Sequence, residues 1–551
     1  MDWISKRAAP DRRCVLTGAA AALAAPAVLR AQTGSEQVMV ETASGRLRGQ
    51  RGGGVDVFKG VPYGDTVSGA GRFRPARPAP AWAGVRDALS LGTPSLQHSN
   101  TVYGLNEPAP GEDCLVLNIW APADRAERRP VMFYSHGGGF TTGSGGSVTQ
   151  DGANLAREYG VVVVSTNHRL GLLGYLYLEE LGGAAYAGSG NQGLSDIVLG
   201  LKWTRRNIAA FGGDPDNIMI FGESGGGAKT SCLYAMPSAA PMFSKAAVQS
   251  GPAVRVGTPE TAARTTRMVL DELGIAPGEW RRLLDVPGPA ILDVQAALSK
   301  RTAGGAPGGW RGIADFRPGA YGPILQPDLL PTHPFDPAAP AAARDKPLIV
   351  GWNDSEAAFF ALESKDFAVF SLDEAGLRAR LARDLGAHAD EVIAAYRSDR
   401  PTATPTDIYL AAQSARAMGE GSLLIAERKA AQGAAPVYYY NLAYRSNRKP
   451  PGVDRELGAM HAIDIPLVFD NAASTDTLAG SRSDRNGVAS TMSAFWTSFA
   501  YTGRPAAPGC PAWNPYDRER RSTMVIDVEC SPVDDRHAAE RLLWERIDPA
   551  V

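Results

Sequence analysis

The sequence predicts an α/β domain built on a large, mostly parallel central sheet with helices on both faces. Three observations predict it. Short apolar runs bounded by Gly, Pro or polar residues recur along the chain: PVMFYSH, VVVVSTNH, IMIFGE, KAAVQSG, KPLIVGW and VYYYNLAY. Near-continuous apolar runs of this length suit strands buried on both faces. Helix-like stretches such as SDIVLGLKWTRRNIAAF lie between several of them, the alternation that parallel strands require. With 551 residues, 44% of them hydrophobic, and 61 glycines, the chain can form a large core with many tight turns and does not read as disordered.

In chain order, the first element is a targeting segment. DRRCVLT at Asp11–Thr17 precedes a short Ala-rich apolar run that ends in Leu-Arg-Ala. Paired arginines, a weakly hydrophobic run and a small-residue cleavage site predict a twin-arginine export signal over 1–31, with Val15 and Thr17 departing from its usual Phe and Lys. A general secretory signal would change the route and leave the destination the same. Residues 32–551 are then a single exported catalytic domain, periplasmic or secreted, and no later run offers about 20 unbroken apolar residues for a membrane span. QVMVETASGRLRG and VDVFKGVPYG open that domain as an antiparallel meander. Residues 255–320 and 370–432 fall outside the strand–helix rhythm and are read as insertions that shape an entrance over the sheet edge.

Charge narrows the partners. A net charge of −2 from 56 basic and 58 acidic residues, with no basic stripe, argues against nucleic acid as the partner. Of five cysteines, Cys14 leaves with the signal, and the spacing of Cys114, Cys232, Cys510 and Cys530 fits no zinc site. Cys510 and Cys530 flank a turn and a strand, and either pair or remain buried free thiols. No metal and no organic cofactor is implied.

The chemistry centres on IMIFGESGGGAKT at 218–230, a strand that runs into glycines. A phosphate cradle requires lysine directly after the last glycine, but Ala228 intervenes before Lys229 and Thr230. A nucleophile elbow requires G-x-S-x-G, which Gly222-Glu223-Ser224-Gly225-Gly226 supplies. Upstream, PVMFYSHGGGF is a second strand entering glycines, suited to presenting backbone N–H groups to a developing oxyanion. Among seven histidines, His98, His136 and His168 precede the serine, whereas chain order in such folds puts acid and then histidine after it. His333 lies in a Pro-rich loop ahead of any suitable acid, His388 in a helical run, and His537 among charges where solvent exposure is expected. His461, on a loop directly before the apolar run IDIPLVF, is the candidate base. Its orienting acid is Asp354 or Glu356, both on the loop after KPLIVGW; pattern leaves the choice open and puts the other in solvent.

These segments, together with FKGVPYG, RFRPARP, EDCLVLNIWAP, NHRLGLLGYL, GNQGLSDIVLGLKW, NIAAFGGDPDNI and GAMHAIDIPLVF in this order, resemble the type-B carboxylesterases, the cholinesterase-like branch of the α/β-hydrolases. The resemblance covers most of the chain and implies, with the export signal, a bacterial exported member. It implies a serine hydrolase that cleaves carboxylic esters through an acyl-enzyme, with a small-molecule ester as its partner. Ser224 corresponds to the nucleophile and His461 to the base. The G-x-N-x-x-E pattern at Gly351, Asn353 and Glu356 favours Glu356 as the acid. The oxyanion donors become the amides of Gly138, Gly139 and Gly225, the last standing where the family usually has Ala and so loosening the turn. Glu223 corresponds to a buried carboxylate beside the nucleophile and Ser250 to a serine near the acid. The family's first disulfide has no partner for Cys114, since Pro94-Ser95-Leu96-Gln97 carries no cysteine. The loop from Ser95 to Cys114 has no tryptophan to stack on a cationic substrate, which disfavours choline esters. The alternative is a relative that has kept the fold and lost catalysis, serving in binding or adhesion; such relatives typically lack part of the triad, and this chain has all three residues.

Overall fold

A computed structural model describes residues 36–98, 107–302, 319–474 and 478–547. The proposed signal lies outside these residues, as does part of the first insertion. Among the described residues thirteen strands form one sheet: β1 (Glu36–Thr42), β2 (Gly45–Gly52), β3 (Val55–Pro62), β4 (Val85–Asp87), β5 (Val116–Pro122), β6 (Arg129–Ser135), β7 (Val162–Thr166), β8 (Gly213–Glu223), β9 (Lys245–Gln249), β10 (Leu348–Asn353), β11 (Val437–Leu442), β12 (Ser522–Ile526) and β13 (Ser531–Asp534). Their order is β1-β2-β3-β5-β7-β6-β8-β9-β10-β11-β12-β13, with β4 beside β2.

From β7 to β12 neighbouring strands are parallel. The meander β1-β2-β3-β5-β7 at one end and β12-β13 at the other are antiparallel. The inner parallel strands are buried and the outermost antiparallel strand is not. Val131, Met132 and Phe133 of β6, Val162–Val164 of β7 and Ile218–Phe221 of β8 are buried, as strands covered on both faces must be. The edge strand β13 is exposed throughout. β5 was not among the apolar runs read as strands, although it is a buried inner strand; it lies in EDCLVLNIWAP, where polar Asn118 interrupts the run. Asn118 is buried and bonded, its amide donating to the Gly145 carbonyl at 3.1 Å.

Every core parallel strand points its C-terminal end to one rim, and the loops after β6, β8, β9 and β10 meet there. The helices Pro259–Glu272 and Gly288–Thr302 lie between β9 and β10. Four more, Glu374–Leu385, Ala389–Asp399, Pro405–Ser414 and Glu420–Ala431, lie between β10 and β11. Cys114, Cys232, Cys510 and Cys530 are free thiols, the last two half-buried. No helix among the described residues is long and apolar enough to cross a membrane.

Candidate active site

β8 ends at Glu223, Ser224 turns the chain, and the helix Gly225–Ala235 starts at once. Ser224 has φ 59° and ψ −125°, a conformation that costs about 1–3 kcal/mol in a residue with a side chain. The neighbourhood holds it there: the Ser224 amide donates to the Gln249 carbonyl at 2.9 Å and its own carbonyl accepts from the Ala228 amide at 3.0 Å. The turn is possible only with glycine on its flanks, because a Cβ on Gly226 would lie 2.0 Å from the Ser135 carbonyl oxygen. Glu223 and Gly225 are buried, whereas Ser224 is half-buried and so reachable.

The candidate oxyanion loop continues from β6. Gly138 and Gly139 have φ 84° and 62°. The Gly138 carbonyl accepts from the Thr142 amide at 3.1 Å, which folds the loop back towards the serine turn. A Cβ on Gly225 would stand 2.1 Å from the Gly139 oxygen. The turn at Gly225 is therefore not loose: the Gly137–Gly139 loop has closed into the space an alanine methyl would need.

The candidate acid and base come from two further loops. Glu356 starts the helix Ala357–Glu363, is fully buried and accepts three hydrogen bonds. His461 Nδ1 lies 2.5 Å from its Oε2, and Ser250 Oγ and the Asn353 amide donate to its Oε1, each at 2.6 Å. Ser250 sits at φ 46° directly after β9, which turns its hydroxyl onto the acid. The imidazole packs against Phe360 and Phe359, with ring centroids 4.7 and 5.6 Å away. Its Nε2 lies 3.4 Å from Glu223 Oε1 and has no hydrogen-bond partner among the described residues, so it is not bonded to Ser224 Oγ in this state. Catalytic hydrogen bonds that tighten only once substrate is bound are common.

Burial lowers the basicity of His461, but the charges of Glu223 and Glu356 and the bond to Glu356 outweigh it and raise the pKa to about 9. Burial drives Glu223 far above the usual carboxylate range, with Asp464 and Glu356 adding to the shift and His461 opposing it. Asp464 is a buried acid that pattern reading missed, although it stands within GAMHAIDIPLVF. Gln249 Nε2 donates to it at 2.7 Å and Asn353 Nδ2 at 3.3 Å, bracing the loop that carries His461.

Asp354 points elsewhere. Arg400 Nη1 and Nη2 bond its two oxygens at 2.9 and 3.0 Å, and against the effect of burial this guanidinium holds the carboxyl below its ordinary range. The expectation that the second acid faces solvent is thus corrected: it is committed to a half-buried ion pair. The same pair corrects His537, which is not solvent-exposed but half-buried, with Nε2 3.1 Å from Arg400 Nη2. Asp399, His537 and Glu540 bring ligand atoms within 4.8 Å of one another, yet Arg400 bonds both His537 and Glu540 and already supplies a cation there. Of the other histidines, His333 accepts from the Val256 amide, His388 is on an exposed helix start, and His136 and His168 stack on each other with ring centroids 4.5 Å apart.

A strained serine at a strand end, a glycine loop packed against its turn and a buried acid–imidazole pair are the parts of an acyl-transfer site. The carboxylesterase family model matches residues 36–543. The para-nitrobenzyl esterase of Bacillus subtilis is 33% identical over 507 residues, covering 91% of this chain and 97% of that protein. The fumonisin B1 esterase of Sphingopyxis macrogoltabida is 31% identical over 500 residues, covering 89% and 86%. A solved carboxylesterase of Geobacillus stearothermophilus superposes with a TM-score of 0.77 at 38% identity, covering 92% of this chain and 99% of that one. The chain therefore belongs to the carboxylesterase family, in its type-B, cholinesterase-like branch, and is a serine hydrolase of carboxylic esters.

Proposed function

We propose that Ser224, His461 and Glu356 are the catalytic triad and that the amides of Gly138, Gly139 and Gly225 form the oxyanion hole. The observation that carries this reading is the short bond from His461 Nδ1 to a Glu356 that two further donors hold in place. A carboxylate on Nδ1 fixes the tautomer with Nε2 free to take a proton. His461 takes the Ser224 proton as Oγ attacks the ester carbon, and the carbonyl oxygen becomes the oxyanion. His461 then protonates the departing alcohol, which leaves an acyl group on Ser224. Water attacks that acyl carbon, giving its proton to His461, and the acid departs as the Ser224 hydroxyl is restored. Glu223 and Ser250 support this chemistry, Ser250 through its bond to Glu356 and Glu223 from its place 3.4 Å from His461 Nε2.

The substrate we propose is a small, neutral ester with an aromatic part. Phe359 and Phe360 line the imidazole, and one relative carries a nitrobenzyl ester in its name. The paired arginines and the apolar run that follows support export of a bacterial protein to the periplasm or beyond, and comparing the mature N terminus with Gln32 tests it. For the triad, Ser224→Ala lowers kcat for p-nitrophenyl acetate by roughly 10⁴- to 10⁶-fold, and an organophosphate labels Ser224 in the wild type alone. Label on another serine, or undiminished turnover in the variant, overturns the assignment.

A further inference from the structure

We propose that Lys229 is a positioning residue for ester hydrolysis, bolting the oxyanion loop to the nucleophile helix through a bond from its Nζ to the His136 carbonyl. The inference rests on the assignment of Ser224 and the oxyanion glycines. Lys229 lies one turn into the helix that Ser224 begins and is fully buried. Its Nζ reaches the His136 carbonyl at 3.0 Å, directly before Gly137, Gly138 and Gly139.

The two arms it joins touch through glycine. Gly225 abuts Gly139 and Gly226 abuts Ser135, in each case too closely for a Cβ. Such a contact has no interdigitating side chains to fix it against sliding. Donors must stay within a few tenths of an ångström of the oxyanion position to stabilise it, and a misplacement of about 1 Å can cost a hundredfold in rate. A lysine from the helix to the loop supplies the missing registration.

The molecule's other buried lysines show what an ordinary solution looks like. Lys245 bonds Asn217, Ser244 and the Ala500 carbonyl, and Lys429 bonds two carbonyls and Gln432. Lys229 has one such acceptor among the described residues, with the Phe140 ring 5.7 Å from Nζ. The titratable groups that face it are His136 and His168, both driven towards the neutral form, so no carboxylate compensates it. Burial accordingly pushes the amine down to about 7. A buried, poorly satisfied amine destabilises a fold, and such costs concentrate where function requires them.

Opposite signs for activity and stability follow. Lys229→Met keeps the stem and removes the donor. Its kcat falls roughly 10- to 100-fold with KM within about twofold. Binding of a trifluoromethyl ketone, which forms an oxyanion on the serine, weakens by the same factor. Its Tm rises. Because the folded state sheds a proton that the unfolded chain keeps to the ordinary lysine range, the burden is full below about pH 7 and fades above it. The Tm gain is therefore larger at about pH 6 than at about pH 10. Lys229→Gln, an uncharged donor, recovers part of the lost kcat. Unchanged kcat in Lys229→Met overturns the inference, as does a joint fall in kcat and Tm or misfolding of both variants, which would make the lysine merely structural. Organophosphate labelling of Ser224 in the wild type tells these outcomes apart from failure of the triad assignment.

Discussion

The two sides of Ser224 are built on opposite electrical plans. On one side, Glu223, Glu356 and Asp464 surround a single imidazole, and Glu356 and Asp464 are held by several donors each. On the other, Lys229, His136 and His168 lie beneath uncharged glycine amides, and one hydrogen bond joins lysine to loop. The acidic side stores charge that the reaction uses directly, because an imidazolium forms there during turnover. The basic side works through geometry, since the donors to the oxyanion are backbone N–H groups that only have to be in the right place. Losses on the first side should appear as altered proton transfer, and losses on the second as misplacement.

The sharpest way to break this contrast is Glu356→Gln. The amide can donate to Nδ1 and so favour the wrong tautomer, and kcat/KM should fall roughly 10³- to 10⁴-fold. Steady-state kinetics on a p-nitrophenyl ester reads it, with Asp354→Asn as the companion expected to stay within a few-fold of wild type. A reversal of the two would hand the orienting role to Asp354.

On the geometric side, Gly225→Ala should lower kcat about tenfold, because the new methyl forces the Gly139 carbonyl away from a separation of 2.1 Å. KM should change little. If kcat were unchanged, the loop would be free to yield, and the close fit of the two glycine arms would have no catalytic consequence.

Acid–base behaviour sharpens the acidic side. His461 works as a base only when neutral, and its pKa is raised to about 9 chiefly by Glu223 and Glu356 working against burial. Activity should therefore rise with pH through a midpoint above the ordinary histidine value of about 6.5. Burial favours the protonated form of Glu223, so its share of the His461 shift exists only where it ionises beside the imidazolium, and in that case Glu223→Gln moves the midpoint of kcat/KM against pH down. An unmoved midpoint would show that Glu223 carries no charge felt at His461.

The sequence made some of this legible and concealed the rest for physical reasons. The elbow and the oxyanion glycines are local: strand, turn and helix start lie within a dozen residues, and sterics alone explain the glycines. The acid is not local. Asp354 and Glu356 stand two positions apart on one loop, and what separates them is Arg400, 46 positions on, which captures the first. Without the family pattern, nothing in the loop's own residues reveals that capture. Lys229 was harder still, since a lysine after these glycines reads only as part of a failed phosphate loop, and its burial exists only once β6 and β8 are neighbours. β5 was missed because buried Asn118 looks like a loop residue until its partners are seen.

The smallest expected effect tests the claim that Asp354 serves the fold alone. Asp354→Asn leaves Arg400 with Glu540 and His537 but removes a two-pronged, half-buried partner, a change worth about 1–3 kcal/mol. Arg400 holds the Asp354 pKa below the unfolded value, so the pair's contribution is present above the ordinary aspartate range of about 4 and is lost as pH falls through the folded value. The Tm deficit of the variant should be full near neutrality and shrink in acid, while kcat at neutral pH stays close to wild type. A deficit that persists unchanged in acid would mean the ion pair is not its source, and a loss of kcat alongside it would tie Asp354 to the acidic side of the site after all.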